Sequence, residues 1–203
     1  MNRAFFLDRD GVINAALWNA EEETLDSPYR LEDFHLLPRA AEGIRLINDL
    51  GFLAIVVSNQ PGVAKGKCTH EFLDTLDRTM LIGLAARGAR LDGIYYCLHH
   101  PAAKLDKLRV DCICRKPGPG LLQRAAVDFG VDIASSYMVG DSERDVLAAL
   151  AVECTPIFVG SRSLSQPGVL MHATDLLEAV QLVSRKNGTD GPLIERAGVP
   201  RHG

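Results

Sequence analysis

A short apolar run near the start of the chain ends in two carboxylates, and this feature most constrains the fold. The run is Ala4 to Leu7, followed by Asp8, Asp10 and Gly11. It predicts a buried β-strand with acids at its carboxyl end, where open α/β sheets bind ligands. Two acids there, with a divalent cation, favour phosphoryl transfer, one acid as nucleophile and the other as general acid and base. The alternative is an exposed Asp-x-Asp-Gly turn.

Size and charge narrow the classes to which the chain can belong. Its 203 residues suffice for one domain with a substantial core. The net charge is -4 and no long basic block is present, which disfavours a nucleic-acid partner. No stretch approaches the roughly 20 apolar residues that cross a bilayer, and Asp8 interrupts the first apolar run of any signal peptide. We expect a cytoplasmic monomer with no membrane partner, whose anionic small-molecule substrate is held by local cations.

Apolar strand-like runs alternate with helical segments along most of the chain. The pattern predicts strands at Ala4–Leu7, Phe52–Val57, Ile94–Tyr96, Tyr137–Val139 and Thr155–Val159. It predicts helices at Ala40–Leu50, Thr69–Arg87, Gly118–Phe129, Val146–Ala151 and Thr174–Val183. This alternation favours an α/β fold with a doubly wound parallel sheet and helices on both faces. We expect residues 1–183 to form one domain and residues 184–203 to form a flexible C-terminal tail.

The segment after the first acids has no regular period. Residues Val12 to Phe34 are predicted to be a loop that rims the site, since they follow the acidic strand end. Trp18, Tyr29 and Arg30 are possible substrate contacts there, although a solvated loop is favoured. Lys67, which follows the second strand, is expected to be solvated.

Polar residues recur where the predicted strands end. Ser58, with Asn59 and Gln60, follows the second strand, and Asp141 and Asp145 follow the fourth. The carboxyl ends of parallel strands lie side by side, so these residues converge with Asp8 and Asp10. The set supplies acids for a hard cation and a hydroxyl for a phosphate oxygen, and Lys116 adds a positive charge.

Two close pairs of metal-binding side chains form a second constellation. Cys97-x-His99 is followed by Cys112-x-Cys114. Three thiolates and one imidazole fit a closed tetrahedral zinc site, and close Cys/His pairs in a reducing compartment indicate a metal before a disulfide. From the spacing, His100 can replace His99. Two unrelated loops with buried cysteines are the alternative.

The motifs together resemble those of a known superfamily. Phe6 to Gly11, Val57 to Gln60, Arg115 to Pro117 and Val139 to Ser142 look like the four motifs of the haloacid dehalogenase (HAD) superfamily, over about Phe5 to Val159. More narrowly, Asp92 to Cys97 and the following histidines are similar to heptose bisphosphate phosphatases, a group close to histidinol phosphatases. The resemblance implies a HAD-like Rossmannoid fold without a large cap domain and with a zinc-binding loop.

The resemblance also implies roles for individual residues. Asp8 attacks phosphorus, Asp10 protonates the leaving oxygen and later activates water, and Ser58 and Lys116 hold the phosphoryl oxygens. Asp145 supports the helix start or the surroundings of the metal. Further substrate contacts are expected from Asn59, Gln60, Arg115 and Ser142.

Two metals follow from the same resemblance. Catalytic Mg²⁺ is expected on Asp8, Asp141 and the backbone carbonyl of Asp10. Structural Zn²⁺ is expected on Cys97, His99, Cys112 and Cys114, because the family pattern favours His99.

The expected reaction removes the 7-phosphate of heptose 1,7-bisphosphate, in nucleotide-activated heptose and lipopolysaccharide biosynthesis. Histidinol phosphate or another small phosphomonoester is the alternative substrate, and a zinc-stabilised binding module is the non-enzymatic alternative. The chain departs from the family pattern in two places. Ser58 stands where threonine is common, and the segment from Ala15 to Asp33 is longer, so no sugar contacts are transferred to it.

Overall fold

The computed structural model describes residues 1–20, 22–160, 171–186 and 188. The strands are β1 (Ala4–Leu7), β2 (Leu17–Asn19), β3 (Thr24–Asp26), β4 (Leu53–Asn59), β5 (Gly93–Cys97), β6 (Tyr137–Gly140), β7 (Thr155–Val159) and β8 (Met171–Ala173). The α-helices are α1 (Ala40–Asp49), α2 (His70–Ala85), α3 (Gly120–Phe129), α4 (Glu143–Leu150) and α5 (Leu176–Lys186). No helix among these residues is long and apolar enough to cross a membrane.

A parallel sheet forms the centre of the molecule. Its strand order is β5-β4-β1-β6-β7-β8, so β1 lies between β4 and β6. Leu7, the last residue of β1, is in register with Val56 on one side and Val139 on the other. The chain therefore leaves these three strands at the same edge of the sheet, which places Asp8, Ser58 and Asp141 together. The predicted doubly wound parallel sheet is confirmed.

The sheet is covered on both faces, as its alternating side chains require. Phe5 and Leu7 join a core with residues of α1, α2 and α5. Ala4 and Phe6 point to the other face and join residues of α3 and α4. All four residues of β1 are fully buried, and burying one such large side chain stabilises the fold by roughly 1.5–3 kcal/mol. The strand β1 is thus enclosed on both faces of the sheet.

Several element ends differ from the predicted ones. The strand β4 continues through Ser58 and Asn59. The helix α4 begins at Glu143, because Ser142 and Asp145 form a capping box at its N-terminus. The helix α5 continues to Lys186, so Ser184 is a buried helical residue and not part of a tail. Of the predicted tail, residues 187 and 189–203 lie outside the described residues.

The segment predicted as loop contains a small hairpin. Strand β2 pairs antiparallel with β3, with Leu17 opposite Asp26 and Asn19 opposite Thr24. Three-residue strands are too short to show a period, which explains why the sequence did not predict β2, β3 or β8. This hairpin is small, and the described residues contain no large cap domain over the sheet edge.

Candidate active site

The carboxyl ends of β1, β4 and β6 bring Asp8, Ser58, Asp141 and Asp145 together, and Lys116 lies among them. We call these five residues the floor of the site. The Ser58 hydroxyl donates to Asp8 Oδ1 at 2.6 Å. Lys116 Nζ lies 3.0 Å from the same oxygen and 2.5 Å from Asp145 Oδ1. Asp141 joins Asp8 and Asp145 in a cluster of carboxylates whose oxygens lie within 4.8 Å of one another. The predicted convergence of these residues is confirmed.

Asn59, the last residue of β4, holds the backbone of Lys116 in place. The Asn59 side-chain amide donates to the Lys116 carbonyl and accepts from the Lys116 N–H, both at 3.0 Å. Asn59 was predicted as a substrate contact, but both ends of its amide are used by this backbone. Ser142, also predicted as a contact, lines the cleft, while its hydroxyl donates to Asp145 at 2.6 Å. The structure thus gives both residues a positioning contact.

Asp10 lies in a dense set of hydrogen-bond donors. Its Oδ1 accepts from the Asn14 amide at 2.8 Å, and its Oδ2 accepts from the Ser27 hydroxyl and the Gln60 amide at 2.7 Å each. Gln60 is buried, so it supports Asp10 and not the substrate surface that the sequence predicted. The carboxylate of Asp10 is therefore held in one orientation by three separate segments.

Arg9 is a site residue that sequence reasoning missed. Its side chain is fully buried beside Asp10, and its Nη2 lies 3.2 Å from Asp10 Oδ1 and 2.8 Å from Gln60 Oε1. The guanidinium also contacts Tyr96, whose hydroxyl donates to Asp77 at 2.5 Å. An arginine set between two acids directly after a buried strand was the available signal, since buried arginines are nearly always paired.

The carboxylate cluster has the composition of a divalent-cation site. Burial raises the pKa of Asp8 to about 6, although Lys116 acts in the opposite sense. Burial, together with Asp8 and Asp145, raises the pKa of Asp141 to about 7. These shifts reflect negative charges crowded away from water, which a hard cation with oxygen ligands would relieve.

A glycine makes room for this cluster. Gly11 has a φ of 84°, and a Cβ atom there would lie 1.9 Å from Asp141 Oδ2. Any other residue would push Asp141 away from Asp8. The close approach of Asp141 therefore explains why a glycine stands at position 11.

The four predicted zinc ligands lie together beside the site. The Sγ atoms of Cys97, Cys112 and Cys114 are 3.1 to 3.7 Å apart, and His99 Nδ1 lies 3.3 Å from Cys114 Sγ. Ligands about 2.3 Å from a tetrahedral zinc ion would be about 3.8 Å apart, so the group fits that metal. His100 is outside the group, because its Nδ1 accepts from the Ala102 N–H and the residue lines the cleft.

The cleft above the floor has a volume of about 830 Å³. The β2–β3 hairpin forms one side and is tied down by ion pairs from the loop after β4. Lys67 Nζ lies 2.5 Å from Glu22 and 2.7 Å from Asp26, and Lys65 Nζ lies 2.7 Å from Glu22. Lys67, which the sequence predicted to be solvated, is thus ion-paired and partly exposed, with 23% of its side chain accessible.

The structure places Trp18, Tyr29 and Arg30, the possible substrate contacts of this segment, in different surroundings. Tyr29 is half-buried and donates to Asp26 at 2.6 Å, while Arg30 is exposed and pairs with Glu32. Trp18 alone of the three lines the cleft.

Basic residues gather on the side of the cleft near the zinc-ligand loop. Lys65, His100, Arg115 and Arg144 all line it. Burial and the neighbouring Arg115 and Lys65 lower the pKa of His100, and burial and Arg144 lower the pKa of Arg115. Arg115 is oriented by its bond to the His99 carbonyl at 3.2 Å. We call Lys65, His100, Arg115 and Arg144 the basic rim, a surface suited to an anion.

The sheet order, the acidic floor and the basic neighbours define a HAD-like hydrolase. A family model described as HAD-hydrolase-like matches residues 113–175. The chain is 39% identical over 165 residues to the D-glycero-beta-D-manno-heptose-1,7-bisphosphate 7-phosphatase of Escherichia coli K12, covering 81% of this chain and 80% of that enzyme. The protein of that name from Photorhabdus laumondii is 34% identical over 182 residues, covering 89% of this chain and 88% of the relative.

Solved structures agree with these relatives. The D,D-heptose 1,7-bisphosphate phosphatase of B. bronchiseptica, crystallised with magnesium and phosphate, superposes with a TM-score of 0.76 at 27% identity, covering 91% of this chain and 99% of that one. A HAD-like phosphatase from Mesorhizobium loti gives 0.76 at 28% identity, covering 90% and 87%. The chain belongs to the D-glycero-beta-D-manno-heptose-1,7-bisphosphate 7-phosphatase family.

Proposed function

We propose that this protein is a Mg²⁺-dependent phosphatase that removes the 7-phosphate of D-glycero-D-manno-heptose 1,7-bisphosphate through an aspartyl-phosphate. The observation that carries the proposal is the pairing, in one cleft, of the acidic floor with the basic rim. The floor suits the phosphate that reacts, and the rim suits a second phosphate on the same molecule. Family membership supports this reading, and the product would enter nucleotide-activated heptose and lipopolysaccharide biosynthesis.

The proposed nucleophile is Asp8. Its Oδ1 accepts from the Ser58 hydroxyl and the Arg9 N–H and lies beside Lys116. These contacts leave Oδ2 as the oxygen that forms the bond to phosphorus, while the bond from phosphorus to the sugar oxygen breaks. Ser58 and Lys116 then steady the phosphoryl oxygens, which is the positioning that phosphoryl transfer requires.

Asp10 is the proposed proton carrier. It gives its proton to the departing sugar oxygen, then takes a proton from the water that attacks phosphorus and releases Asp8. Mg²⁺, held by Asp8, Asp141 and the Asp10 carbonyl, would supply positive charge to the phosphoryl group. Asp145, which pairs with Lys116 and caps α4, acts by positioning that lysine.

The proposed zinc has a structural role. Zn²⁺ on Cys97, His99, Cys112 and Cys114 would fix the loop that presents Arg115 and Lys116. We also propose that the protein acts as a monomer in the cytoplasm. A reducing compartment would keep the four ligands free to bind metal.

A substrate panel tests this function. With Mg²⁺ present, kcat/KM should be highest for heptose 1,7-bisphosphate among that compound, histidinol phosphate and acetyl phosphate. Arg144→Ala should lower kcat/KM for the bisphosphate far more than for acetyl phosphate, because only the bisphosphate has a second anion for the basic rim. A higher value for histidinol phosphate would overturn the heptose assignment, and no turnover of any ester would favour a binding module.

A further inference from the structure

The β2–β3 hairpin is built with its apolar face outward. Trp18 and Leu25 lie directly opposite each other in the two strands, so their side chains share one face. They are 66% and 59% exposed. The other face carries Asn19, Thr24 and Asp26 beside the half-buried Leu17, with Asn19 donating to Asp26 and Asp26 pairing with Lys67. Two large apolar side chains thus remain exposed, whereas the apolar side chains of a hairpin usually pack on the domain.

The hairpin is nevertheless held in place. Glu22 pairs with Lys65 and Lys67, and Lys67 also lies 5.4 Å from the centre of the Tyr29 ring. Single pairs of this exposure contribute little, but several charges in one network constrain a short segment. The exposed face therefore belongs to an anchored structure with a fixed position over the cleft.

Trp18 and Leu25 line the same cleft as Asp8 and Arg115. The polar groups of this cleft account for the phosphate ends of a bisphosphate but provide no surface for the carbon skeleton between them. Trp18 offers a broad apolar ring with an N–H at its edge, which suits a ligand that has both C–H and hydroxyl groups.

We propose that Trp18, supported by Leu25, binds the carbon skeleton of a phosphorylated sugar and determines the preference for sugar substrates. The inference rests on the proposed function, because it takes the ligand to be a sugar phosphate. Trp18 makes its contact away from the reacting atoms and acts on specificity.

Trp18 is the chain's one tryptophan, so its emission reports on this face alone. The Asp8→Asn variant with Mg²⁺ provides a protein that binds substrate without consuming it. Heptose 1,7-bisphosphate should shift or quench the tryptophan emission in a saturable manner, and inorganic phosphate should not. Equal changes with both ligands, or no change with the sugar, would overturn the proposal.

Kinetics provide the second readout. In Trp18→Ala, the ratio of kcat/KM for heptose 1,7-bisphosphate to kcat/KM for acetyl phosphate should fall about tenfold, a typical penalty for losing one apolar contact. Trp18→Phe should recover most of that ratio. Val127→Ala, which truncates another exposed apolar residue, on α3 and outside the cleft, is the control and should leave the ratio unchanged.

The outcomes separate this inference from the proposed function. If the wild-type protein does not hydrolyse the heptose bisphosphate, the proposed function fails. If it does, and Trp18→Ala keeps the wild-type ratio, the inference about Trp18 fails. A Trp18→Ala variant that alters sedimentation and not the ratio would show that this face binds a second copy of the chain, which would also overturn the proposal. Thermal unfolding of each variant checks that the fold is intact.

Discussion

Two aspartates separated by one residue have different surroundings in this site. Asp8 is supported on one oxygen by Ser58 and Lys116, whereas both oxygens of Asp10 accept from buried side chains. A nucleophile needs a free oxygen, and a proton carrier needs a fixed orientation. The assignment of the two roles therefore rests on hydrogen-bond geometry as well as on motif order.

Asp8→Asn should abolish turnover, because an amide cannot form the aspartyl-phosphate. The fold should remain, since the amide preserves the shape of the side chain at a position where burial disfavours the charge. Steady-state assays and thermal unfolding measure the two effects. Asp106→Asn, at an exposed position away from the cleft, is the control and should retain full activity. Near-normal turnover in Asp8→Asn would contradict the role of Asp8.

Asp10→Asn should separate the two chemical steps. Acetyl phosphate, whose leaving group needs little protonation, should still phosphorylate Asp8, while hydrolysis of the aspartyl-phosphate should slow by about 10²- to 10⁴-fold. Rapid-quench detection of phosphoprotein measures both steps. Ser27→Ala should act in the same direction but more weakly, because it removes one of the donors that orient Asp10. Fast turnover of a sugar phosphate by Asp10→Asn would exclude the acid and base role.

At the scale of elements, the sequence was informative where a strand is a continuous apolar run that the structure buries. The runs at β1, β4 and β7 predicted the sheet, and the polar residues after β1, β4 and β6 predicted the floor of the site. The β2–β3 hairpin was not predictable, because Trp18 and Leu25 are exposed and the hairpin forms ion pairs with Lys65 and Lys67. Its position depends on charges distant in sequence, which local periodicity does not contain.

Burial of polar residues was the other property that the sequence did not reveal. The resemblance to the HAD motifs predicts substrate contacts for Asn59 and Gln60, which follow Ser58. In the structure, Asn59 holds Lys116 and Gln60 holds Asp10. A polar residue beside a catalytic group either contacts the ligand or positions its neighbour, and three-dimensional packing decides which.

The loop with the zinc ligands gives a prediction at this scale. Cys112→Ala should remove zinc, lower the melting temperature and raise KM, because the loop that carries Arg115 and Lys116 loses its anchor. Excess Mg²⁺ should restore neither the melting temperature nor the KM of this variant. Elemental analysis should find about one zinc per wild-type chain, as expected for one tetrahedral site. Cys68→Ala is the control, since Cys68 lies outside the cluster and should keep the zinc. A stable wild-type protein without zinc would contradict the site.

For the whole molecule, the modest net charge of -4 conceals a strong local separation. Negative charge gathers on the floor, at Asp8, Asp141 and Asp145, and positive charge gathers on the basic rim. The floor charges are enclosed, so the metal-free protein must either protonate them or tolerate their repulsion. Both protonation and charge repulsion make the stability of the fold depend on pH and on a bound divalent cation.

The sign of this coupling follows from the raised pKa values. Asp141 has an ordinary pKa of 3.8 when unfolded and a pKa of about 7 in the fold. Between these values the unfolded chain is ionised while the folded protein keeps its proton. Stability is therefore greatest below about pH 4 for this group, decreases as pH rises toward 7, and then stays level. Asp8, with a folded pKa of about 6, adds to the decrease over the lower part of the range.

In EDTA, the free energy of unfolding of the wild-type protein should therefore fall relative to Asp141→Asn as pH rises from 5 to 7. The difference should approach about 1 kcal/mol per pH unit, since one full proton difference corresponds to 1.36 kcal/mol per unit.

Mg²⁺ should raise the wild-type melting temperature more at pH 8 than at pH 5, because it binds the ionised carboxylates of the folded state. The same Mg²⁺ should restore the activity that EDTA removes, without added zinc. Urea unfolding at several pH values, with and without Mg²⁺, measures these effects. A pH-independent difference between the two proteins would contradict the raised pKa of Asp141. Equal Mg²⁺ stabilisation at both pH values would show that these carboxylates do not form the cation site.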